Sequence, residues 1–492
     1  MFLYIRMLFV LAVSLYTVRV VLRNLDVVDY GIYTAIGGVV LSLSFLSQIL
    51  SSASQRFFAY EIGLQNYERL NKIFNTLFLT YIGIILLIIG ISETLGLWFL
   101  SCKMSIPAER MDAAYWVFQF SLLAFAVTII TNPFIALIIA HEHMNVFAYI
   151  GIAEVLLKLA VAGLLIVATV DKLKLYAVLM FVVSCIIGIL YYGICRKRFP
   201  HIKLQRSWDN NIFKSIFSYS SWTLFGTVAG VCNNQGINVL LNVFYGPVAN
   251  TAYAVGYQVS TGVSNFASSF YTAVRPQLTK SYAIGDFAYM NQLFLFSSKT
   301  IFALLYAIIL PLMLETDIIL KLWLGDVKPY MVYFTQLMLV YTIIICIGNP
   351  ITTIAQASGQ VKRYHGIVDG FGLVALPLSY IAFKLGALPE VTFYITIAVF
   401  IIAHALRLIV VRNIVPIRIA EYVKCFILPA VMIIVVTILL SWPVRLGINN
   451  TVGQLLCVTT ISIVSSCFCS YFILFNQEEK SIFRSLFRHS KR

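Results

Sequence analysis

Charged residues lie inside long apolar stretches of this chain, where a charge is costly and therefore informative. Lys158 stands in the middle of one stretch with Glu154 one helical turn before it, and Arg19 lies in the first stretch. A charge near the centre of a bilayer costs about 2.5–3.5 kcal/mol, so such residues mark a functional site by default. Glu at position i and Lys at i+4 pair on one helix face. We interpret them as a self-neutralised pair or as the charged wall of a water-filled cavity.

Three other charged residues each have two interpretations. Arg19 either extends to the lipid headgroups or faces the cavity, and its distance from the helix start favours the cavity. Asp369 either pairs with Lys362 or Arg363, or carries a coupling ion. Arg275 either anchors its helix at the inner interface or binds a phosphate group.

Uncharged polar side chains concentrate in two consecutive segments. The first holds Asn233, Asn234, Gln235, Asn238 and Asn242, and the second holds Gln258, Ser260, Thr261, Ser264 and Asn265. Amides exposed to lipid are costly, so most of these must face protein or water. Interhelical hydrogen bonds, worth about 0.6 kcal/mol each, are one explanation. A surface that binds sugar hydroxyls is the other, because amides and hydroxyls both donate and accept hydrogen bonds.

Catalytic and metal chemistry have no support in the sequence. A P-loop is absent, and His141-Glu142-His143 lacks the H-E-x-x-H spacing of a zinc-binding helix. Cys467 and Cys469 are too close for a C-x-x-C metal site, and nothing nearby completes one. We therefore expect no catalytic residues, no metal site, no cofactor and no nucleic-acid partner.

The composition identifies the elements that must position these residues. Of the 492 residues, 60% are hydrophobic and only 11% are charged, against about 25% charged residues in a soluble domain. A soluble fold cannot bury that much apolar surface, and continuous apolar runs exclude the alternating strands of an outer-membrane barrel. At about 20 residues per span, the sequence predicts an all-α membrane protein with about fourteen transmembrane helices.

The distribution of basic residues orients these helices. The net charge is +15, and most Lys and Arg residues fall on one side of the predicted spans, including Lys299 and Arg407 near span ends. Because cytoplasmic segments are enriched in basic residues, we expect both termini in the cytoplasm. We divide the chain into an N-terminal six-helix lobe (1–196), a basic cytoplasmic linker (197–214), a C-terminal six-helix lobe (215–413), two extra helices (414–475) and a basic amphipathic tail (476–492).

A weak internal repeat relates the two lobes. The residues Gln55, Tyr60, Gly63 and Tyr67 match Gln277, Tyr282, Gly285 and Tyr289, after the second helix of each lobe. Six predicted helices separate the copies, so both lobes have the same orientation, and the pattern predicts an axis along the membrane normal. Asn132-Pro133 and Asn349-Pro350 are kink candidates at matching positions. Kinked helices in both lobes suit alternating access.

Three stretches carry a resemblance to a known family. They are Gln55 to Asn75, Asn234 to Asn250 and Pro276 to Asp286. They resemble polysaccharide flippases of the O-antigen (Wzx) type, within the multidrug/oligosaccharidyl-lipid/polysaccharide (MOP) exporter superfamily. The resemblance covers about the whole chain and implies a MATE-like fold.

The resemblance implies a carrier that moves an undecaprenyl-pyrophosphate-linked oligosaccharide to the outer leaflet. Arg19, Lys158 and Arg275 would attract the pyrophosphate, and the amides Asn234, Gln235, Asn238, Gln258 and Asn265 would bind the glycan. Glu154 or Asp369 would couple transport to a proton or sodium gradient. The implied location is the bacterial inner membrane, with membrane lipids and the glycan polymerase machinery as further partners.

Other functions remain open at this point. A multidrug antiporter of the same superfamily typically uses a membrane carboxylate, and the predicted first helix (2–22) carries Arg19 but no acid. A lipid II flippase would use the same chemistry with another glycan. A membrane scaffold or a glycan polymerase belongs to a different class. A polymerase is disfavoured because no predicted outer loop is large.

Overall fold

The chain is helical throughout the part that the computed structural model describes, residues 2–42, 44–102, 106–205, 207–447 and 451–481. Every regular element in these ranges is a helix, and none is a strand. Ten helices within them are long and apolar enough to cross a membrane. The prediction of an all-α, multi-pass membrane protein is confirmed. The chain forms two compact units, Met1–Ser221 (unit 1) and Trp222–Arg492 (unit 2).

Helices α1 to α6 build unit 1. They are α1 (Phe2–Ser42), α2 (Ser44–Gly63), α3 (Tyr67–Cys102), α4 (Ala108–Ala140), α5 (Met144–Val167) and α6 (Lys172–Arg198). A π-helical turn over Ser92–Gly96 interrupts α3, whereas α4 continues through Pro133. Their apolar faces form one core, in which Phe58 and Phe74 are fully buried.

Contacts along α1 show that it crosses unit 1 from end to end. Arg6, near its start, lies 4.4 Å from the ring of Phe147 at the start of α5. Asp29 accepts a hydrogen bond of 2.7 Å from Arg110 Nε at the start of α4. A short loop joins α4 to α5, so the starts of these two helices lie at opposite ends of the unit.

The chain then returns along α2. Ser47 Oγ accepts a hydrogen bond of 2.5 Å from Asn132 Nδ2, well inside α4. The segment from α1 to α2 therefore supplies two crossings. The predicted end of the first helix at residue 22 is wrong, because α1 continues to Ser42 and includes Asp29.

Helix α7 (Asn210–Ala283) runs for 74 residues and consists of two helices. An unbroken helix of that length would measure about 110 Å, far more than a bilayer core. At Gly246 the backbone adopts φ 78° and ψ −172°, which a residue with a Cβ rarely does. Pro247 then opens the second helix, where its fixed φ is suitable. We call the parts before and after Gly246 the first and second arms.

Helices α8 to α14 complete unit 2. They are α8 (Phe287–Leu314), α9 (Thr316–Leu324), α10 (Met331–Ser358), α11 (Val361–Lys384), α12 (Val391–Arg412), α13 (Ile419–Arg445) and α14 (Gly453–Leu474). The two arms of α7 and the two crossings of α1–α2 bring the ten apolar spans to the predicted number of about fourteen.

Irregular backbone is common in unit 2. Helix α10 is interrupted at Gly348, between Ile347 and Asn349. Helices α11, α13 and α14 contain π-helical turns over His365–Asp369, Val423–Ile427 and Ser470–Leu474. Because π turns are rare and often mark functional sites, they direct attention to this unit.

Buried ion pairs fasten α13, α14 and the segment after α14 to α8. Lys299 is 1% exposed at its side chain and lies 3.0 and 2.9 Å from the carboxylate oxygens of Glu479. Glu315, just after α8, is fully buried and accepts hydrogen bonds of 3.2 and 3.1 Å from Gln454. Arg445 Nε lies 3.8 Å from the same carboxylate. Charged contacts therefore fix α8 near its middle, at Lys299, and at its end, at Glu315.

The turns that follow α2 and α7 share one backbone geometry, but not in the register of the predicted repeat. After α2, Gln65 adopts φ 55° and Asn66 caps α3 by accepting the N–H three residues on, at 3.0 Å. After α7, Gly285 adopts φ 76° and Asp286 caps α8 in the same way, also at 3.0 Å. Gln65 therefore corresponds to Gly285. The sequence match, which paired Gly63 with Gly285, is out of register.

The predicted cytoplasmic linker (197–214) is attached to α3 through its backbone. Asn75 Nδ2 donates to the carbonyl of Lys203 at 2.9 Å, and Asn71 Oδ1 accepts the Lys203 N–H at 2.9 Å. Asn75 Oδ1 also accepts the N–H of Gln205 at 2.7 Å. The amphipathic part of the predicted tail (476–492), with Ile482, Phe483, Leu486 and Phe487, lies outside the described residues.

Candidate functional site

A pocket of about 250 Å³, with hydroxyl and amide groups set among apolar side chains, lies in unit 2 between the two arms of α7, α10 and α12. Its walls consist of Asn234, Ile237, Tyr253, Tyr257, Ser260, Thr261, Ser264, Met338, Tyr341, Ile345, Phe393 and Thr396. None of these side chains is charged at neutral pH, and most carry a hydroxyl or an amide. Such groups can both donate and accept hydrogen bonds, which suits a neutral, hydroxylated ligand.

Hydrogen bonds hold the pocket walls together. The Tyr253 hydroxyl donates to the carbonyl of Asn234 at 3.0 Å, which joins the two arms of α7. Ser260 Oγ lies 2.6 Å from Thr342 Oγ1, which joins the second arm to α10. Because helices on several sides position these groups, the pocket is formed before a ligand arrives.

Only part of the predicted amide set reaches this pocket. Asn234 lines it, whereas Asn238 accepts a hydrogen bond of 2.6 Å from Asn250 across the break in α7. Gln235 lines a separate apolar groove on the first arm. Gln258 and Asn265 lie exposed on the second arm. The predicted amides therefore lie on different faces of the two arms.

The tyrosines of the pocket were missed by the sequence analysis. Tyr253, Tyr257, Ser260 and Ser264 all line the pocket, at successive turns of the second arm. Their spacing of four, three and four residues places them on one helix face. That periodicity was visible in the sequence, but Tyr253 and Tyr257 were not counted with the serines among the polar residues.

A buried cation lies behind the pocket. Arg407 of α12 interacts electrostatically with Tyr341, a pocket residue. Arg407 is 7% exposed, and its Nε has no hydrogen-bond partner. Its guanidinium packs so closely on Gly348 that a Cβ atom there would overlap it. The sequence analysis grouped Arg407 with the cytoplasmic basic residues, and the structure buries it within unit 2.

Asp369 bonds to a histidine that the sequence analysis did not consider. Asp369 Oδ2 lies 2.5 Å from His365 Nδ1, within the π turn of α11. Lys362, one of the two predicted partners of Asp369, instead lies 5.6 Å from the ring of Trp222. Arg275 Nη2 donates to Gln356 Oε1 at 3.1 Å, so a neutral amide holds this guanidinium.

In unit 1, the predicted pair on α5 is present. Lys158 Nζ lies 2.6 Å from Glu154 Oε1, and both side chains are 38% exposed. Arg19 is exposed on α1. The structure therefore leaves these charges accessible, in contrast to the buried charges of unit 2.

Comparison with known proteins gives a result for fold only. No family model and no curated protein matches the chain. A crystal structure of MATE in complex with MaL6 gives a TM-score of 0.69 at 13% identity, covering 86% of this chain and 96% of that chain. A mutant of the Vibrio cholerae MATE transporter VcmN gives 0.66 at 14%, covering 84% and 94%.

A third structure comes from Pyrococcus furiosus. This MOP superfamily transporter, described as having a binding pocket of reverse polarity, gives a TM-score of 0.68 at 13% identity, covering 86% of this chain and 95% of that chain. All three matches extend over nearly the full length of the known structures. The chain therefore has the fold of the MATE transporters of the MOP superfamily.

Proposed function

We propose that this protein is a flippase for an undecaprenyl-pyrophosphate-linked oligosaccharide. It moves the repeat unit from the cytoplasmic to the outer leaflet of the bacterial inner membrane, for O-antigen or capsule synthesis. Both termini are cytoplasmic in this proposal. The observation that carries it is the uncharged pocket of unit 2, lined by tyrosine, serine, threonine and asparagine side chains.

The size of this pocket indicates which part of the cargo it binds. At about 250 Å³ it is smaller than the roughly 300–1,000 Å³ typical of sites that enclose a whole small ligand. It therefore binds one portion of a larger cargo, and its hydroxyl-rich walls suit a sugar ring. The pyrophosphate and the polyprenyl tail are bound elsewhere.

The exposed charges of unit 1 are suited to the pyrophosphate. Lys158 is neutralised by Glu154 while that carboxylate is ionised. Binding of a proton or sodium ion at Glu154 would leave Lys158 with an uncompensated charge, which attracts an anion. Arg19 adds a second accessible cation. This arrangement connects coupling to cargo binding.

The alternatives are a cation-coupled multidrug antiporter and a lipid II flippase. The expected lack of an acid in the first helix does not exclude the antiporter, because α1 includes Asp29. Asp29, however, is bound by Arg110, which also donates to Asp171 at 3.0 Å. The pocket of unit 2 also offers no carboxylate for a cationic drug. These two observations favour the glycan cargo.

Deletion and complementation in the native host test the proposal. Deletion should abolish surface glycan and cause lipid-linked repeats to accumulate facing the cytoplasm. Complementation with Lys158→Ala or Arg19→Ala should fail while the protein remains in the membrane, whereas Lys158→Arg should restore part of the glycan. Lys174→Ala, which removes another cation of unit 1, is the matched control and should complement fully.

The result that contradicts the flippase is also specific. Unchanged surface glycan after deletion, with altered sensitivity to cationic dyes, would establish the antiporter instead. Unchanged glycan in both Lys158→Ala and Arg19→Ala would refute the cationic site while leaving the flippase in place.

A further inference from the structure

We infer that His365 and Asp369 form a proton-binding site that couples unit 2 to a proton gradient. This inference rests on the proposed transport function and specifies, for the coupling candidate in unit 2, Asp369, which ion binds and with which partner. The sequence suggested Asp369 as one coupling candidate for a proton or sodium. The structure adds the histidine, the enclosure around it and a reason why protonation would move a helix.

The contact itself requires a proton between the two side chains. His365 Nδ1 and Asp369 Oδ2 are 2.5 Å apart, and two lone pairs at that distance would repel. His365 Nδ1–H therefore donates to the carboxylate. The other ring nitrogen, Nε2, is buried and has no hydrogen-bond partner. In this state Nε2 carries no hydrogen, since a buried donor without an acceptor would be costly.

The first arm of α7 closes over this pair. A Cβ atom on Gly226 would overlap both Asp369 Oδ2 and His365 Nδ1. The pair therefore fits only because residue 226 has no side chain. The π-helical turn His365–Asp369 presents both side chains to this surface. The π-helical geometry, which is rare, and the close contact with Gly226 therefore occur at the same point of α11, one of the helices long enough to cross a membrane.

The charged groups around the pair come from two helices. On α11 itself, Lys362 and Arg363 are exposed, and Lys362 lies over Trp222. The buried Tyr364 interacts electrostatically with both Asp369 and Arg407 of α12.

The remaining titratable neighbour is His404 of α12, which already bonds to Tyr422 at 3.1 Å. The first arm of α7 has no charged side chain between residues 222 and 245. Arg407 is therefore a buried cation that shares one neighbour, Tyr364, with Asp369.

Proton binding is expected to loosen the contact with Gly226. In the loaded state His365 holds the added proton on Nε2 while Nδ1–H continues to donate to the Asp369 carboxylate, so the charge of the pair rises by one. An Nε2–H in the enclosed position has no acceptor. The loaded state therefore favours an arrangement in which the first arm of α7 moves away.

Nitrogen NMR of histidine-labelled protein in liposomes tests the site directly. The spectrum of the full chain minus that of His365→Gln isolates the two ring nitrogens of His365. We expect hydrogen on Nδ1 alone in the unloaded state and on both ring nitrogens in the loaded state. In Asp369→Asn the His365 titration should be displaced, whereas in His404→Gln, a second buried membrane histidine, it should not change.

A second variant pair tests the enclosure without removing a titrating group. Gly226→Ala places a methyl group on the pair, whereas Gly230→Ala, one turn further on, meets nothing within 4 Å. Proton uptake into dye-loaded liposomes should fall about tenfold in Gly226→Ala and remain unchanged in Gly230→Ala. Equal uptake in both variants, or a His365 titration unaffected by Asp369→Asn, overturns the inference. Loss of the flippase phenotype is scored separately, on surface glycan, and does not affect the NMR result.

Discussion

Helices α5 and α11 occupy the same place in the order of spans of their units, and each carries a titratable pair four residues apart. On α5, Glu154 and Lys158 lie on a regular helix, with both side chains 38% exposed. On α11, His365 and Asp369 lie on a π turn, with side chains 6% and 22% exposed. The same spacing therefore gives an accessible ion pair in one unit and an enclosed hydrogen bond in the other.

This difference shows that burial determines what such a pair can do. The exposed pair contributes little to stability and is free to exchange partners, which suits cargo binding. The enclosed pair depends on Gly226 for its space and leaves one ring nitrogen unsatisfied. It is suited to respond to a proton by changing its packing.

The largest difference in stability loss between a buried and a half-exposed pair should come from substituting Lys299 and Lys158. Lys299→Ala leaves Glu479 without its cation, and breaking a buried pair costs about 3–5 kcal/mol. Lys158→Ala breaks a half-exposed pair and should cost less than about 1 kcal/mol. Unfolding in mixed detergent micelles measures both. Similar losses in the two variants would show that burial does not control these pairs.

The next largest difference should be in coupling energy, which double-mutant cycles measure for the pair on α11 and the pair on α5. His365→Gln combined with Asp369→Asn should show a coupling energy of about 1.5–3 kcal/mol, as for hydrogen bonds to charged groups. Glu154→Gln combined with Lys158→Met should show about 0.3–0.5 kcal/mol. The same unfolding assay provides the four free energies of each cycle. A larger coupling on α5 would reverse the comparison.

Two glycines that contact arginines provide a third comparison between a buried and a half-buried group, with a smaller expected loss of stability. A Cβ on Gly348 would overlap the buried Arg407, and a Cβ on Gly151 would overlap the half-buried Arg6. Gly348→Ala should lose about 1–3 kcal/mol of stability, because the buried guanidinium has little room to shift. Gly151→Ala should lose less.

Gly163→Ala on α5 is the matched control for these two glycines. Its Cβ would meet nothing within 4 Å, so it should be neutral or slightly stabilising. Thermal unfolding in detergent compares the three variants. A stability loss in Gly163→Ala equal to that in Gly348→Ala would show that overlap with Arg407 does not cause the loss.

The smallest effect is expected at the break in α7. Asn238→Ala removes the hydrogen bond of 2.6 Å from Asn250 that joins the two arms. Interhelical bonds of this kind contribute about 0.6 kcal/mol in a membrane protein. Thermal unfolding should show a loss of that order, with Gln258→Ala, an exposed amide of the second arm, as the neutral control.

The sequence was sufficient for the features that are local or compositional. Apolar content predicted the all-helical membrane fold, and the i, i+4 spacing predicted the Glu154–Lys158 pair. The π turn of α11 was not visible in the sequence. The contact of His365 and Asp369 with Gly226 was not visible either, because it joins two helices that are far apart in the chain. Lys299 was placed at a span end because the predicted span began eleven residues late, whereas the span that holds Arg407 was predicted correctly and only its burial was not visible. Tertiary burial decides all of these cases.

The buried charges within α8 and just after it have a consequence for how the protein is made. The ribosome delivers Lys299 and Glu315 to the membrane before it has synthesised Arg445, Gln454 or Glu479. Until those residues arrive, unit 2 holds a cation and a carboxylate without their counterparts. We therefore expect unit 2 to become fully packed only when the last helix and the segment after it are complete. Chains that stop before α14 should remain open to membrane proteases, whereas finished chains are protected.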